Sequence, residues 1–563
     1  MFRFIFCLLI FASFNSFGQK VLKENLTKKK TFYWDFQNTA SQSIGSYYKD
    51  PLGETTQEHG KWEYFDRDGK LTEIRNYYKG KLHGPVILKY PNGLMRQEGY
   101  FINDLQDSVY RLWNESGVLE VEGYFKNNKE FGIWKTFHID GSPKMVEEII
   151  DSTRFVQSYW IDDSLHTQTL INGTGKIVEL HNNGLLKEFY FYKSGVLDGI
   201  FLEKSILGDS SLSGSYKNGR KTGLWKFYYY TGKIEKICNY DEDRMEGKYQ
   251  YFYDNGQVKT EGFYKSGQKN GLWTWYTKFG VRDMSGNFKE DQQNGDWTYW
   301  YPTGEIAYTA QYKMGLKDGN WNYFYKDGSK FKVGSFSKDE KEGLWQTWYE
   351  DGTLLMSGNY AKGKEEGRWI NNWENGKLKN ETTFKAGVLH GEWKSYSFKG
   401  TLKLTGYYKN GYKNKEWVEY FENGRQKDLY TYKIVKIKSK VDYGPLKGRV
   451  TYESVKDGYA VSYSSKDFKK TEEGNYKAGE KDGEWKDFYP GGKIPAVTST
   501  YKNGKLDGPM REYGRRGEII SEVNYKDGMK HGFLRTYDSR GKVLTEREYE
   551  YGQLKVKGAF QPK

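Results

Sequence analysis

The stretch "YKNGRKTGLWKFYYYTGKIEKICNY", Tyr216 to Tyr240, decides the fold because the chain repeats it. It returns as "YKSGQKNGLWTWYTKFGVRDMSGNF" at 264–288 and as "YKMGLKDGNWNYFYKDGSKFKVGSF" at 312–336. With the Gly before Leu-Trp taken as position 0, anchors fall at Gly175, Gly199, Gly223, Gly247, Gly271, Gly295, Gly319, Gly343, Gly367, Gly391 and Lys415, ten consecutive steps of 24 residues. Gly60, Gly84, Ser108 and Gly132 keep the same step upstream, and Gly483, Gly508 and Gly532 resume it downstream with one step of 25. A fixed period of this length marks a stacked array of supersecondary units.

Positions within the unit differ in what they tolerate. Position 2 is Trp eleven times, and position 5 is nearly always aromatic. Position 9 is Gly in most units, often after Asn or Asp, as in Asn255-Gly256 and Asp327-Gly328. Position 17 is almost always Tyr or Phe, and position 20 is commonly Gly or Asp. Asn-Gly and Asp-Gly between apolar runs signal a tight hairpin whose two central residues both need positive φ. This predicts a two-residue turn at positions 8 and 9, a second turn at 20 and 21, and two strands of about ten residues between them. The expected fold is therefore all-β, an elongated, twisted antiparallel meander of about 18 tandem 24-residue β-hairpin repeats.

That register places position 2 across from position 15 on both sides. Position 15 is frequently Gly, as at Gly214, Gly262, Gly286, Gly334, Gly358 and Gly406. Large rings are thus expected over strand glycines, in rows that a slip of one residue would turn to the other face. Positions 2, 4, 6, 11, 13, 15 and 17 are expected on this aromatic face. Positions 3, 10, 12, 14, 16 and 18 form a mainly polar face that also carries the aromatic of position 5. Phe252, Tyr276, Trp300, Phe324 and Trp348 are therefore the candidate binding residues. Rings in a row stack on sugar faces or anchor a partner protein, or else pack within the coiled sheet.

The ruler organises the chain into repeat blocks at 45–142, 173–432 and 474–563. Irregular, strand-rich stretches at 143–172 and 433–473 separate them, and a lead-in covers 19–44. The irregular stretches read as decayed repeats, or as a kink or partner site. Residues 1–18 read as a signal peptide: Arg3, the apolar run Phe4–Phe14, then Ser16-Phe17-Gly18 before Gln19. This implies an exported chain, in a bacterial periplasm or at the cell surface or outside. Cys7 lies in that run, so Cys238 is alone in the mature chain and no internal disulfide is expected. No later run has the roughly 18 apolar residues of a membrane span. The net charge of +14 comes from 88 basic and 74 acidic residues, finely interleaved, which argues against nucleic acid and for a mild preference for anionic surfaces.

The repeated "YxxGxxxGxWxxYYxxGxLxxxxxY" resembles the bacterial MORN-repeat variant family, which includes the YwqK-type antitoxins. The resemblance covers about Gly45 to Tyr549. It implies a chain of β-hairpins that binds or scaffolds protein, in some members neutralising a toxin. Choline-binding cell-wall repeats share Gly-x-Trp and Asn-Gly hairpins and rank second, because their period is shorter.

Signatures of catalysis are missing from the sequence. No metal-ligand spacing, nucleophile elbow, phosphate loop or dinucleotide fingerprint occurs, so no enzyme activity, metal or cofactor is expected. His59, His83, His390 and His531 all fall at position 23 and read as surface residues flanking a turn. The expected function is a non-enzymatic exported scaffold for a protein partner, including an antitoxin or immunity-type partner. The alternative is an envelope glycan-binding protein that uses the aromatic strip.

Overall fold

The structure is a computed structural model that describes residues 25–438 and 449–555. The signal-peptide reading of 1–18, with Cys7, lies outside the described residues. The backbone divides into two compact units, Met1–Gly280 and Val281–Lys563. Within each, strands run in an antiparallel meander, each paired with the next in sequence, and there is no helix among the described residues. The all-β hairpin architecture is as the period implies.

One repeat shows how 24 residues divide. Strand Arg220–Tyr228 is followed by a connection of five residues, strand Ile234–Asp241 and a turn at Glu242 and Asp243. The turns differ from the sequence expectation in type and place. At positions 8 and 9 only the glycine has positive φ: Gly256 is at +90°, while Asn255 is not in the left-handed region. Gly256 N donates to Tyr253 O at 2.9 Å and Tyr253 N to Gln257 O at 2.8 Å, the pattern of a type I turn closed by a G1 bulge. The asparagine side chain explains the choice. Asn255 Oδ1 accepts from Gln257 N at 3.0 Å, and its Nδ2 reaches the next loop at Lys278 O, 2.9 Å away. The type I′ turn is at the other end, at positions 19 and 20 rather than 20 and 21. Glu242 and Asp243 have φ of 45° and 68°, and even Ala386 and Met314 sit at 50° and 47°. Neighbouring repeats hold them there. Asp243 Oδ1 accepts from Lys221 N at 2.8 Å, and Glu366 Oε2 from Ala386 N at 2.7 Å.

Each repeat has two bulges, and the first restores the pairing that the displaced turn would lose. Ser213 pairs Lys226 and Ser215 pairs Thr222, so three residues, Gly223 to Trp225, face Gly214. This returns position 2 to position 15. A second shift follows Phe227: Phe227 pairs Lys236, but Tyr228 pairs Ile234. The extra residue exchanges the faces of positions 11 and 12 relative to simple alternation. Position 12 lies with positions 4 and 6, as Lys259 Nζ does 5.3 and 5.5 Å from the rings of Tyr251 and Tyr253. Position 11 lies with position 5, as Arg282 does 5.8 Å from the Trp300 ring.

The core of each unit is a row of indoles laid on glycines. A Cβ added to Gly214, Gly262, Gly286, Gly334, Gly358 or Gly406 would lie 2.0 to 2.3 Å from Cδ2 of the next repeat's tryptophan. Only glycine admits the ring there. Trp225 shows the surroundings: Tyr216 and Tyr240 meet it edge-on at 5.2 and 5.9 Å, and Lys221 Nζ stands 4.6 Å from its ring. Position 22 repeats this cation over Trp273, Trp321, Trp345, Trp417 and Trp485. The pairing covaries along the chain. Where position 15 is Cys238, the next position 2 is Tyr249. Where it is Thr382, Trp393 is the one position-2 tryptophan not fully buried, and it stacks on Trp417 at 5.7 Å.

Burial of the tyrosines makes the array sensitive to alkali. Desolvation raises Tyr192, Tyr240 and Tyr249 from 10.0 to about 12. A folded state that keeps these protons longer than the unfolded chain has its full stability below the unfolded value and loses it as pH rises towards the folded one. We expect the denaturation midpoint to hold up to about pH 10 and fall steeply towards pH 12, together with tyrosinate absorbance. A midpoint flat across that window, with the tyrosines ionising, would contradict the burial.

Candidate functional site

Phe252, Tyr276, Trp300, Phe324 and Trp348 are all half-buried. Phe252 and Tyr276 belong to the first unit, the other three to the second. Their backbones carry a ladder between repeats. The carbonyls of Phe252, Tyr276, Phe324 and Trp348 accept from the Oη of Tyr229, Tyr253, Tyr301 and Tyr325 at 2.6, 2.9, 2.8 and 2.7 Å. Each donor lies at position 6 of the preceding repeat, so these bonds hold successive loops together. Tyr276 Oη donates to Glu261 Oε1 at 2.8 Å, which sets its ring among the polar side chains of positions 3 and 14.

Positions 3 and 14 form cross-strand pairs on this face: Arg111 with Glu122 at 2.8 Å, Arg511 with Glu522 at 2.6 Å and Arg535 with Glu546 at 2.8 Å. On the same face the structure exposes a feature that the sequence reading did not single out. Position 1, which pairs position 16 and alternates with the buried Trp, carries Ile200, Leu224 and Leu272 at 57%, 49% and 53% exposure. Phe191 and Phe263 at position 16 are exposed as well. All five lie in the first unit; Leu344 and Phe533 repeat position 1 in the second. The signal was present, since an apolar residue follows the anchor glycine in each case. It was masked by the conspicuous ring one residue later.

The histidines correct another expectation. His59 is at position 23 but is 1% exposed, not a surface residue. Its Nδ1 accepts Lys79 N at 3.1 Å, the bond that Glu246 makes to Ser266 N elsewhere. His138 and His181 occupy position 6 and replace the tyrosine of the ladder, with Nε2 on Trp160 O at 3.3 Å and Lys204 O at 3.0 Å. His138 is also drawn into a cluster with no sequence spacing to announce it. One ligand atom each from His138, Asp162 and His166 lies within 4.8 Å of the others. His166 Nε2 contacts Asp140 Oδ2 at 2.8 Å, and Ser142 is the main influence holding the Asp140 carboxyl down at about 2.

Nine segments match the family profile described as "MORN repeat variant": 58–79, 221–242, 245–266, 293–314, 341–362, 365–386, 389–410, 481–503 and 506–527. No curated protein matches the chain. Among solved structures, those titled "Crystal Structure of TcdB2-TccC3-Cdc42" and "Crystal Structure of TcdB2-TccC3-TEV" are 10% identical over 93% of this chain, with TM-scores of 0.13 and 0.11. The chain spans 31% and 33% of their length.

Proposed function

We propose that this chain, nine of whose segments match the MORN repeat variant, is an exported, non-enzymatic scaffold that binds a protein partner along the polar face of its first unit. The observation that carries this reading is the set of exposed aliphatic side chains at position 1, Ile200, Leu224 and Leu272, with exposed Phe191 and Phe263 at position 16 of neighbouring strands and with polar side chains such as Lys248, Gln250 and Glu261 between them. Exposed apolar side chains with a polar border suit a protein surface, where burial of the apolar atoms drives association and the charges set register. Aliphatic side chains lack the ring face that stacks on a sugar. An antitoxin or immunity-type role is one form that such binding takes, with a toxin as the partner.

The test is capture from envelope extract by residues 19–563, repeated with soluble polysaccharide and with two variants. A single protein partner, retained against polysaccharide and lost from the triple variant Ile200→Ser, Leu224→Ser, Leu272→Ser, is the expected result. Removing such anchors costs roughly 2 kcal/mol or more at a central position, so the loss is at least tenfold. Retention on glycan, abolished by Trp300→Ala with Trp348→Ala, would replace this reading with the glycan-binding one.

A further inference from the structure

The cluster at His138 is built by a local change in the repeat. A regular loop has three residues between its paired ends, as in 254–256, where Tyr253 N bonds Gln257 O. In the irregular stretch the corresponding bond is Ile161 N to Thr167 O, 3.0 Å, which closes a loop of five residues, 162–166. The longer loop carries Asp162 at one end and His166 at the other. Asp163 braces it, with Oδ1 accepting from the backbone N–H of Leu165 and Thr167 at 3.1 Å each. The preceding repeat supplies His138 and Asp140 from its own loop, at positions 6 and 8.

The hydrogen bonds around both imidazoles leave the same nitrogen available. His138 Nε2–H donates to Trp160 O, the bond required by the inter-repeat ladder, so Nδ1 carries the lone pair. That Nδ1 is 3.5 Å from Asp162 Oδ1. His166 Nε2–H donates to Asp140, which leaves its Nδ1 with the lone pair; this atom is buried and has no hydrogen-bond partner. The rings lie 4.9 Å apart at 31°. A histidine whose far nitrogen is held by a carbonyl or carboxylate is how proteins orient an imidazole towards a metal. Ligands at 2.0–2.1 Å around a tetrahedral ion are about 3.3 Å apart, so a shift of about an ångström in the loop closes the cluster on an ion.

We propose that His138, Asp162 and His166 form a binding site for a divalent transition metal of the zinc class. The two Nδ1 atoms and one Asp162 carboxylate oxygen are the ligands, and Asp140 positions His166. Two imidazoles and one carboxylate suit zinc rather than calcium or magnesium, which require mostly oxygen. The ion would tie loop 138–142 to loop 162–166, across the place where the 24-residue rule lapses.

The test is calorimetric titration of the whole chain, freed of metal with a chelator, with zinc chloride. One equivalent is expected to bind more tightly than any background from the other histidines. His166→Gln and Asp162→Asn, both on the loop, should remove that equivalent while near-ultraviolet circular dichroism is unchanged. Asp140→Asn should keep the stoichiometry and weaken binding by about tenfold or more. Cobalt in place of zinc should give a visible absorption band in the wild type that is absent from His166→Gln. Equal zinc stoichiometry and affinity in the wild type and His166→Gln would overturn the proposal. So would a preference for calcium.

Discussion

Trp225→Ala will lower the stability of its repeat and the flanking ones by about 3–5 kcal/mol, the usual cost of emptying a fully buried indole site. Trp225 is 0% exposed, and the ring holds together four other rings and a lysine: Phe201 stacks on it at 5.6 Å, Tyr216 and Tyr240 meet it edge-on, Phe227 lies at 6.4 Å and Lys221 sits over it. Among the described residues no second layer covers this sheet to collapse into the gap, so the strands either side lose the centre of the cluster that Phe201, Cys238, Leu212 and Phe227 share with it. Stability in such an array is a sum of units and their interfaces, so the effect should be local. Amide exchange should accelerate for strands Val196–Lys204 to Arg244–Phe252 and remain slow in distant repeats. A uniform loss of protection along the chain, or none, would refute the indole-on-glycine account of the core.

Gly358→Ala should be nearly as damaging, although it adds one methyl to a strand. Alanine ordinarily improves on glycine inside a strand by roughly 0.5–1 kcal/mol. Here its Cβ would stand 2.0 Å from Cδ2 and 2.3 Å from Cε2 of Trp369, so the indole must lift away. Trp369 is 4% exposed and its Nε1 donates to Asn359 O at 3.1 Å, a bond that lifting would break. We expect a net loss of about 2–3 kcal/mol, in the range of core overpacking with one buried hydrogen bond lost. The natural pair Cys238 and Tyr249 suggests the rescue. Gly358→Ala with Trp369→Tyr should cost clearly less than the sum of the single changes in a denaturation cycle. Additivity would show that the two residues do not share one packing site.

The ring row was legible because its cause is steric and repeats. Glycine at position 15 and tryptophan at position 2 of the next unit can be matched on paper, and the match survives even though the turn between them was placed one residue late. That error and the unseen bulge at Gly223 cancel in the pairing of position 15 with position 2. The separate shift after Phe227 has nothing to cancel it, so positions 11 and 12 exchange faces. The turn type was misread because Asn-Gly carries two signals: a residue that tolerates positive φ, and an amide that caps a turn and bonds the next loop. In Asn255 the second prevails, since both ends of the amide find partners.

The sequence by itself determined the period, the strand content, the hairpin unit and the partnership of indole with glycine. These depend on local sterics and on side-chain volumes that recur every 24 residues. Only the tertiary structure decided where the chain puts its bulges, which aliphatic side chains remain in solvent, and that His138, Asp162 and His166 converge. Those depend on register between neighbouring strands, where two inserted residues in one loop bring together groups 24 and 28 positions apart. No one-dimensional spacing encodes such a meeting, because the distance is set by how one loop stacks on the next.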